Sequence, residues 1–342
     1  MILLLHGAKK NAGDFLIRQR GLALVRHLLP SQQIVLRDRW QPIPPAFMQR
    51  ADAVILCGGP GLAPHFYPGV FPLVEPLNGT TPILPLALGW SGKPANDPDG
   101  FRFDDASLVG LRHIHSLIGW SSVRDDLSLR ILERAQVGEV RRSGCVAWYH
   151  LPSLGQPLRP PVRSRRVIFT TPADVRGLGR QSLAVLRMLR QRFADADRYC
   201  VFHRGLRAGD GTARKEALLS RALAACAAAL GFKIIDAAYD LSSLDFYAQA
   251  DLHVGYRVHA HLYFLSCRRP SLLISEDGRG RGQAFTLDGQ RLLWAKDADL
   301  LGQLEAALDE ETAQNGYPST NASIEEIERT WPVMRETIEQ LG

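Results

Sequence analysis

The sequence predicts an α/β protein of two Rossmann-like domains facing a cleft. Three observations predict it: short apolar runs alternate with amphipathic stretches, glycines gather where predicted strands end, and the alternation stops at a proline- and arginine-rich stretch and then restarts. A chain of 342 residues also exceeds the usual single-domain size and argues for about two domains.

In order, Met1–Leu5 is an apolar strand whose loop, His6–Asp14, feeds an amphipathic helix over Phe15–Leu29. Gln33–Leu36 and Ala53–Leu56 are the second and third strands. The third ends in Cys57-Gly58-Gly59-Pro60-Gly61, and the strand Thr81–Leu88 ends in Leu88-Gly89-Trp90-Ser91-Gly92. Carboxyl ends of an open parallel sheet form the ligand crevice, and glycine there lets backbone N–H groups approach an anion. Leu151–Arg166 holds four prolines and little periodicity, which marks a linker. The second series runs from the strand Val167–Thr171 through a helix at Leu178–Phe193, a strand at Tyr199–Phe202, a helix at Arg214–Leu230, a strand at Lys233–Asp236 and a helix near Ser243–Ala250. It continues with a strand at Leu252–Val254, a helix at Val258–Cys267, strands at Ser271–Ile274 and Arg291–Trp294, a helix at Asp299–Leu308, a loop at Gln314–Asn321 and an acidic amphipathic helix at Ile324–Leu341. The expected domains are 1–155 and 167–320, joined by a linker at 156–166 and followed by a terminal helix, 321–342, able to cross back. Two such halves are the GT-B-like architecture shared by many glycosyltransferases.

Composition fits a folded globular protein, with 46% hydrophobic and 22% charged residues. No apolar run approaches the roughly 18 residues of a membrane span, and Met1–Leu5 is too short for a secretory core, so a cytoplasmic location is expected, with peripheral attachment to the inner membrane face left open. The five cysteines are widely spaced among apolar neighbours and form neither a disulfide framework nor a metal motif. Residues 297–342 hold eleven acidic and two basic residues, leaving a net charge of +15 on residues 1–296. Arginine supplies 35 of the 41 basic residues, and its planar fork suits phosphate or carboxylate. The basic residues are dispersed, with no recognition motif, which argues against nucleic acid.

The densest chemical cluster is His253-Val254-Gly255-Tyr256-Arg257-Val258-His259-Ala260-His261, at a strand-to-helix junction. Arg257 at the strand end and His259 in the first helical turn would flank free N–H groups beside a positive helix dipole, a setting for an anion. His253 is expected inside the strand and His261 facing outward. The three histidines lack metal-ligand spacing, and no metal or cofactor is expected. Further on, Glu276-Asp277-Gly278-Arg279-Gly280-Arg281-Gly282 reads as a flexible loop whose Arg279 and Arg281 could clamp an anion and whose Glu276 and Asp277 could act as general bases.

Several separated patches resemble the polysaccharide pyruvyl transferase family. Asn11-Ala12-Gly13-Asp14 resembles its NxGD segment, and Ala51–Gly59 its apolar strand ending in two glycines. Ser122-Val123-Arg124-Asp125-Asp126-Leu127-Ser128 resembles its SVRD-x-x-S segment, and Tyr256–Ala260 its RxHA segment, followed by Arg269-Pro270. The chain departs from the pattern at Gly255, where the family often has Ser, and over Glu276–Arg281, where the family has a lysine-bearing loop.

The resemblance implies a two-lobed transferase moving a pyruvyl group from phosphoenolpyruvate to a pair of sugar hydroxyls in bacterial surface-polysaccharide biosynthesis. The expected donor site is Arg257, Arg279, Arg281, Arg124 and the Gly58, Gly59 and Gly61 loop, with His259 as acid, and Asn11, Asp14 and His65 on the acceptor side. The acceptor would be a sugar or lipid-linked oligosaccharide. Two other readings stay open: a glycosyltransferase using a nucleotide sugar or other sugar phosphate, and a non-catalytic sugar-binding or scaffold protein that docks through its acidic terminal helix.

Overall fold

A computed structural model describes every residue except 74–76, 78, 94–96, 162, 210–211, 239–241, 289–290 and 314–315. The first half carries a parallel sheet in the order β2-β1-β3-β4, from β1 (Ile2–His6), β2 (Ile34–Asp38), β3 (Ala53–Cys57) and β4 (Ile83–Leu86). Strands β1 and β3 are buried at every residue, whereas the edge strand β2 is not, as cover on both faces of a parallel sheet requires. A parallel pair, β5 (Ser121–Val123) and β6 (Val140–Arg142), adjoins β4 through a bridge between Leu88 and Val123.

The second sheet is also parallel, in the order β12-β11-β10-β7-β8-β9. Its strands are β7 (Arg166–Thr170), β8 (Asp197–Phe202), β9 (Lys233–Asp236), β10 (Leu252–Gly255), β11 (Ser271–Ser275) and β12 (Leu293–Trp294). Strand order reverses between β7 and β10, and at that switch point such a sheet opens a ligand crevice beyond its carboxyl ends. The helices are α1 (Ala12–Leu28), α2 (Pro45–Arg50), α3 (Asp105–His115), α4 (Asp126–Ala135), α5 (Val175–Arg192), α6 (Arg214–Ala229), α7 (Val258–Ser266), α8 (Gly278–Asp288), α9 (Leu300–Thr312) and α10 (Pro318–Glu339).

The two halves share a core. Leu16 and Leu24 of α1, Ile55 of β3 and Trp148 pack with Leu262 and Leu265 of α7 and Ile327 and Met334 of α10. Polar ties follow the same path: the Trp148 indole donates to Gln283 Oε1 (2.7 Å), and the Trp120 indole donates to Thr337 Oγ1 (3.0 Å). No helix among the described residues is long and apolar enough to cross a membrane.

Several expectations need correction. Helix α10 starts at Pro318, inside the loop expected over Gln314–Asn321, whose residues 314–315 lie outside the described residues; proline suits a first helical turn, and Glu311 accepts the Ser319 and Thr320 N–H groups. Its acidic face is not a free docking surface: Glu326 pairs with Arg142 and Arg329, Glu328 with the buried Arg268, and Glu336 with Arg141. The stretch near Ser243–Ala250 is a 3-10 helix, Ser242–Gln249. Cys226, though its sequence neighbours are apolar, is exposed. The expected flexible loop over Glu276–Gly282 is largely the start of α8. Its glycines allow close approach: a Cβ on Gly278 would stand 2.7 Å from Gly92 N, and one on Gly282 2.7 Å from Asp125 Cγ, both in the other half. Helices α2, α3 and α4 and strands β5 and β6 have no counterpart in the sequence reading.

Candidate active site

At the switch point β10 runs so close to β7 that a Cβ on Gly255 would lie 2.6 Å from Thr170 N, which accounts for glycine at this position. Thr170 then guides the turn, its carbonyl accepting the Tyr256 N–H (3.1 Å) and its hydroxyl the Arg257 N–H (3.2 Å). Arg257 therefore stands at the start of α7, 7% exposed. One guanidinium nitrogen donates to Pro172 O (2.9 Å), another lies 3.9 Å from Glu276 Oε1, and the buried Nε has no partner among the described residues. Burial pushes the guanidinium down to about 10, with Glu276 opposing and Arg279 and Arg204 adding to the effect.

His259 occupies the first turn of α7 and is buried. Burial, then Arg124, Arg279 and Arg257, push its imidazole down to about 3. The ring is a neutral imidazole at neutral pH, with no imidazolium proton to deliver, which corrects the acid role expected for it. His253 sits inside its strand, bonded to Thr170 and Ser271. His261, expected to face outward, is buried and bonded to Ser271 Oγ (2.7 Å), because α7 is packed on all sides between the sheet and the other half.

The first half meets this site through the start of α1. Asn11 caps that helix, accepting the Gly13 N–H (3.4 Å), so the NxGD segment is a cap and first turn rather than a loop. Asp14, in the same turn, is pushed up by burial against the opposing charges of Arg279, Arg39 and Arg124. Arg124 packs flat on Gly89, donates to Trp90 O (2.5 Å) and pairs with Asp125 (3.0 Å), which itself caps α4.

Asp277 holds Arg279 with contacts of 2.9 and 2.6 Å to its Oδ2. Burial works to raise the Asp277 carboxyl, but Arg279's charge and hydrogen bonds win and hold it low. Its carboxylate is committed to positioning Arg279, which removes it from the candidate bases. Glu276 accepts the Ala173 N–H (2.8 Å), and burial pushes its carboxyl up against the opposing charge of Arg257.

One crevice of about 20 Å³ is lined by Asn11 and Arg124 from the first half and by Arg257, His259, Glu276, Asp277 and Arg279 from the second. That is room for about one water. Other expected residues lie elsewhere. Arg281 stacks 5.6 Å from the Trp294 ring, since side chains two apart on a helix point about 200° apart. The Gly58 and Gly61 N–H groups donate to Leu86 and Gly59 carbonyls, so the Gly58–Gly59–Gly61 loop seals the sheet end rather than cradling an anion. His65 is exposed and pairs with Asp104 (2.6 Å).

Sequence reasoning missed His203, which lines the crevice with its Nδ1 buried and without a partner among the described residues, its Nε2 meeting the Tyr247 hydroxyl (2.7 Å). It directly follows β8, and the strand-end argument applied to Arg257 would have found it. Beside the crevice, with Arg257 as common wall, lies a cavity of about 300 Å³ between the starts of α5 and α6. Among the described residues no group of three or more His, Cys, Asp or Glu side chains is placed to hold a metal ion.

Two parallel sheets with a cationic crevice at their facing carboxyl ends define a GT-B-like enzyme. Solved structures share that fold: the Staphylococcus aureus MnaA–UDP complex, at 12% identity and TM-score 0.54, aligns over 98% of this chain and 93% of its own. The Neisseria meningitidis UDP-GlcNAc 2-epimerase bound to UDP-GlcNAc, at 11% identity and TM-score 0.54, aligns over 98% of both chains. No curated protein sequence matches the chain. The family model for polysaccharide pyruvyl transferase matches residues 11–278; the chain belongs to this family and is a transferase.

Proposed function

We propose that the protein transfers a pyruvyl group from phosphoenolpyruvate to two hydroxyls of a sugar in a surface-polysaccharide precursor. The observation that carries this is the meeting, in one crevice, of Arg257, Arg279 and Arg124 with a neutral His259 and a Glu276 of raised pKa. Three guanidinium groups suit the phosphate and carboxylate of the donor. The first acceptor hydroxyl adds to the quaternary carbon while the methylene carbon gains a proton; the second displaces phosphate and closes the ketal. On this reading His259, whose pKa burial lowers, takes the hydroxyl proton and Glu276, whose pKa burial raises, supplies the methylene proton. As it stands the crevice has room for about one water, so on this reading donor binding has to widen it.

A nucleotide-sugar donor is the second reading, favoured by the 300 Å³ cavity beside Arg257 and by the UDP-bound structures of similar fold. Thermal melts separate the two. Phosphoenolpyruvate should raise the melting temperature by several degrees at millimolar concentration; stabilisation by nucleotide sugars with none by phosphoenolpyruvate would reverse the assignment.

A further inference from the structure

We infer that the 300 Å³ cavity is a second anion site, taking a diphosphate joined to the acceptor sugar. This rests on the donor reading above, which fills the neighbouring crevice with phosphoenolpyruvate.

The cavity is built from two helix starts that differ. Asp174 caps α5, accepting the Gly177 N–H (2.9 Å), whereas α6 begins after Ala213 with no side-chain cap, and Ala213 and Lys215 line the cavity. A 16-residue helix whose first N–H groups have no side-chain cap among the described residues directs a partial positive charge into that space. Arg257 supplies an independent sign of a missing ligand: it is 7% exposed, borders the cavity, and its Nε lacks a partner among the described residues.

Charge around the cavity is one-sided. Arg176, Arg204, Lys215 and Arg257 line it, against Glu216 and an Asp174 already spent on its helix. Lys10, from the first half, also feels Arg204 and Arg257, and its ammonium is pushed down by burial and by those two arginines, with Glu216 opposing. Cations crowded in this way repel one another until an anion enters. Four cations exceed what one phosphate needs and match a diphosphate, and the volume lies at the lower end for small-molecule sites, enough for a diphosphate and part of what it carries. Arg257, as common wall, would set the two anions side by side, with the acceptor sugar reaching the crevice.

The test titrates inorganic pyrophosphate into the full chain, with and without saturating phosphoenolpyruvate. The proposal expects pyrophosphate to bind in both cases with affinities within threefold. Arg204→Ala should weaken pyrophosphate at least tenfold while moving phosphoenolpyruvate less than threefold, and Arg279→Ala should do the reverse. Mutually exclusive binding of the two anions, or an unchanged pyrophosphate affinity in Arg204→Ala, overturns it. Failure of the donor reading would appear separately, as a wild-type chain that binds pyrophosphate but not phosphoenolpyruvate. Uridine diphosphate and farnesyl diphosphate then identify the carrier, a nucleoside or a lipid, by which one competes more strongly with pyrophosphate; competition by neither overturns the proposal.

Discussion

His259 lies against the backbone of Gly13, so close that a Cβ on Gly13 would stand 2.6 Å from the ring's Cγ. A side chain from the second half is thus seated on the first helical turn of the other. Gly13→Ala must displace one of them, at a cost of about 1–3 kcal/mol for overpacking. Turnover should fall at least tenfold in a variant that still folds. Steady-state kinetics beside a melting curve checks this, and wild-type turnover would show that the contact is not needed.

Buried histidines make stability depend on pH. His259 and His261 are each pushed down to about 3, and His203 and His253 well below 6.5, in every case with burial as the first cause. Above pH 6.5 folded and unfolded chains are alike neutral at these sites. Below it the unfolded chain takes up protons the folded chain refuses, so stability falls as pH drops from about 6.5 toward 3, by up to about 1.4 kcal/mol per pH unit per histidine. Asp14 and Glu276, raised by burial, act in the opposite sense. Urea midpoints between pH 7.5 and 5.5 should decline, and less steeply in His261→Gln. An equal slope in that variant contradicts the account.

Catalysis should carry a descending limb as pH rises. Glu276 must be protonated to act, so turnover falls as pH climbs through its raised pKa, whereas His259 is already neutral there. Glu276→Gln should lower turnover about 10²–10⁴-fold, the range for a lost general acid, and should abolish that limb. A variant with the same pH profile would move the acid elsewhere.

Chelation should leave activity intact, because arginine meets the donor's charge: Arg257, Arg279 and Arg124 all border the crevice. Assays after exhaustive chelation test this. Activity lost and restored by a divalent ion would refute it.

Most strands of the two main sheets are legible as short apolar runs, and Arg257 and His259 are legible because they follow one that ends in Gly255. What stayed hidden depends on partners distant in sequence. Arg279 and Arg281 look equivalent along the chain, and only the helical turn of α8 sends one to Asp277 and the other to Trp294. The depressed His259 comes first from burial that no local pattern reports, and then from Arg124, more than a hundred residues earlier. The acids of α10 look like a solvent face until Arg142, Arg268 and Arg141 are seen to meet them.

The central claim is that Arg257 binds the donor's anionic groups at the switch point between β7 and β10. Isothermal titration of phosphoenolpyruvate into the wild-type chain and into Arg257→Ala tests it most directly. The account predicts saturable binding to the wild type and a loss of about 1.5–3 kcal/mol in the variant, the scale of a charge-assisted hydrogen bond. Equal affinity in a folded Arg257→Ala chain, or no binding to the wild type, would contradict it.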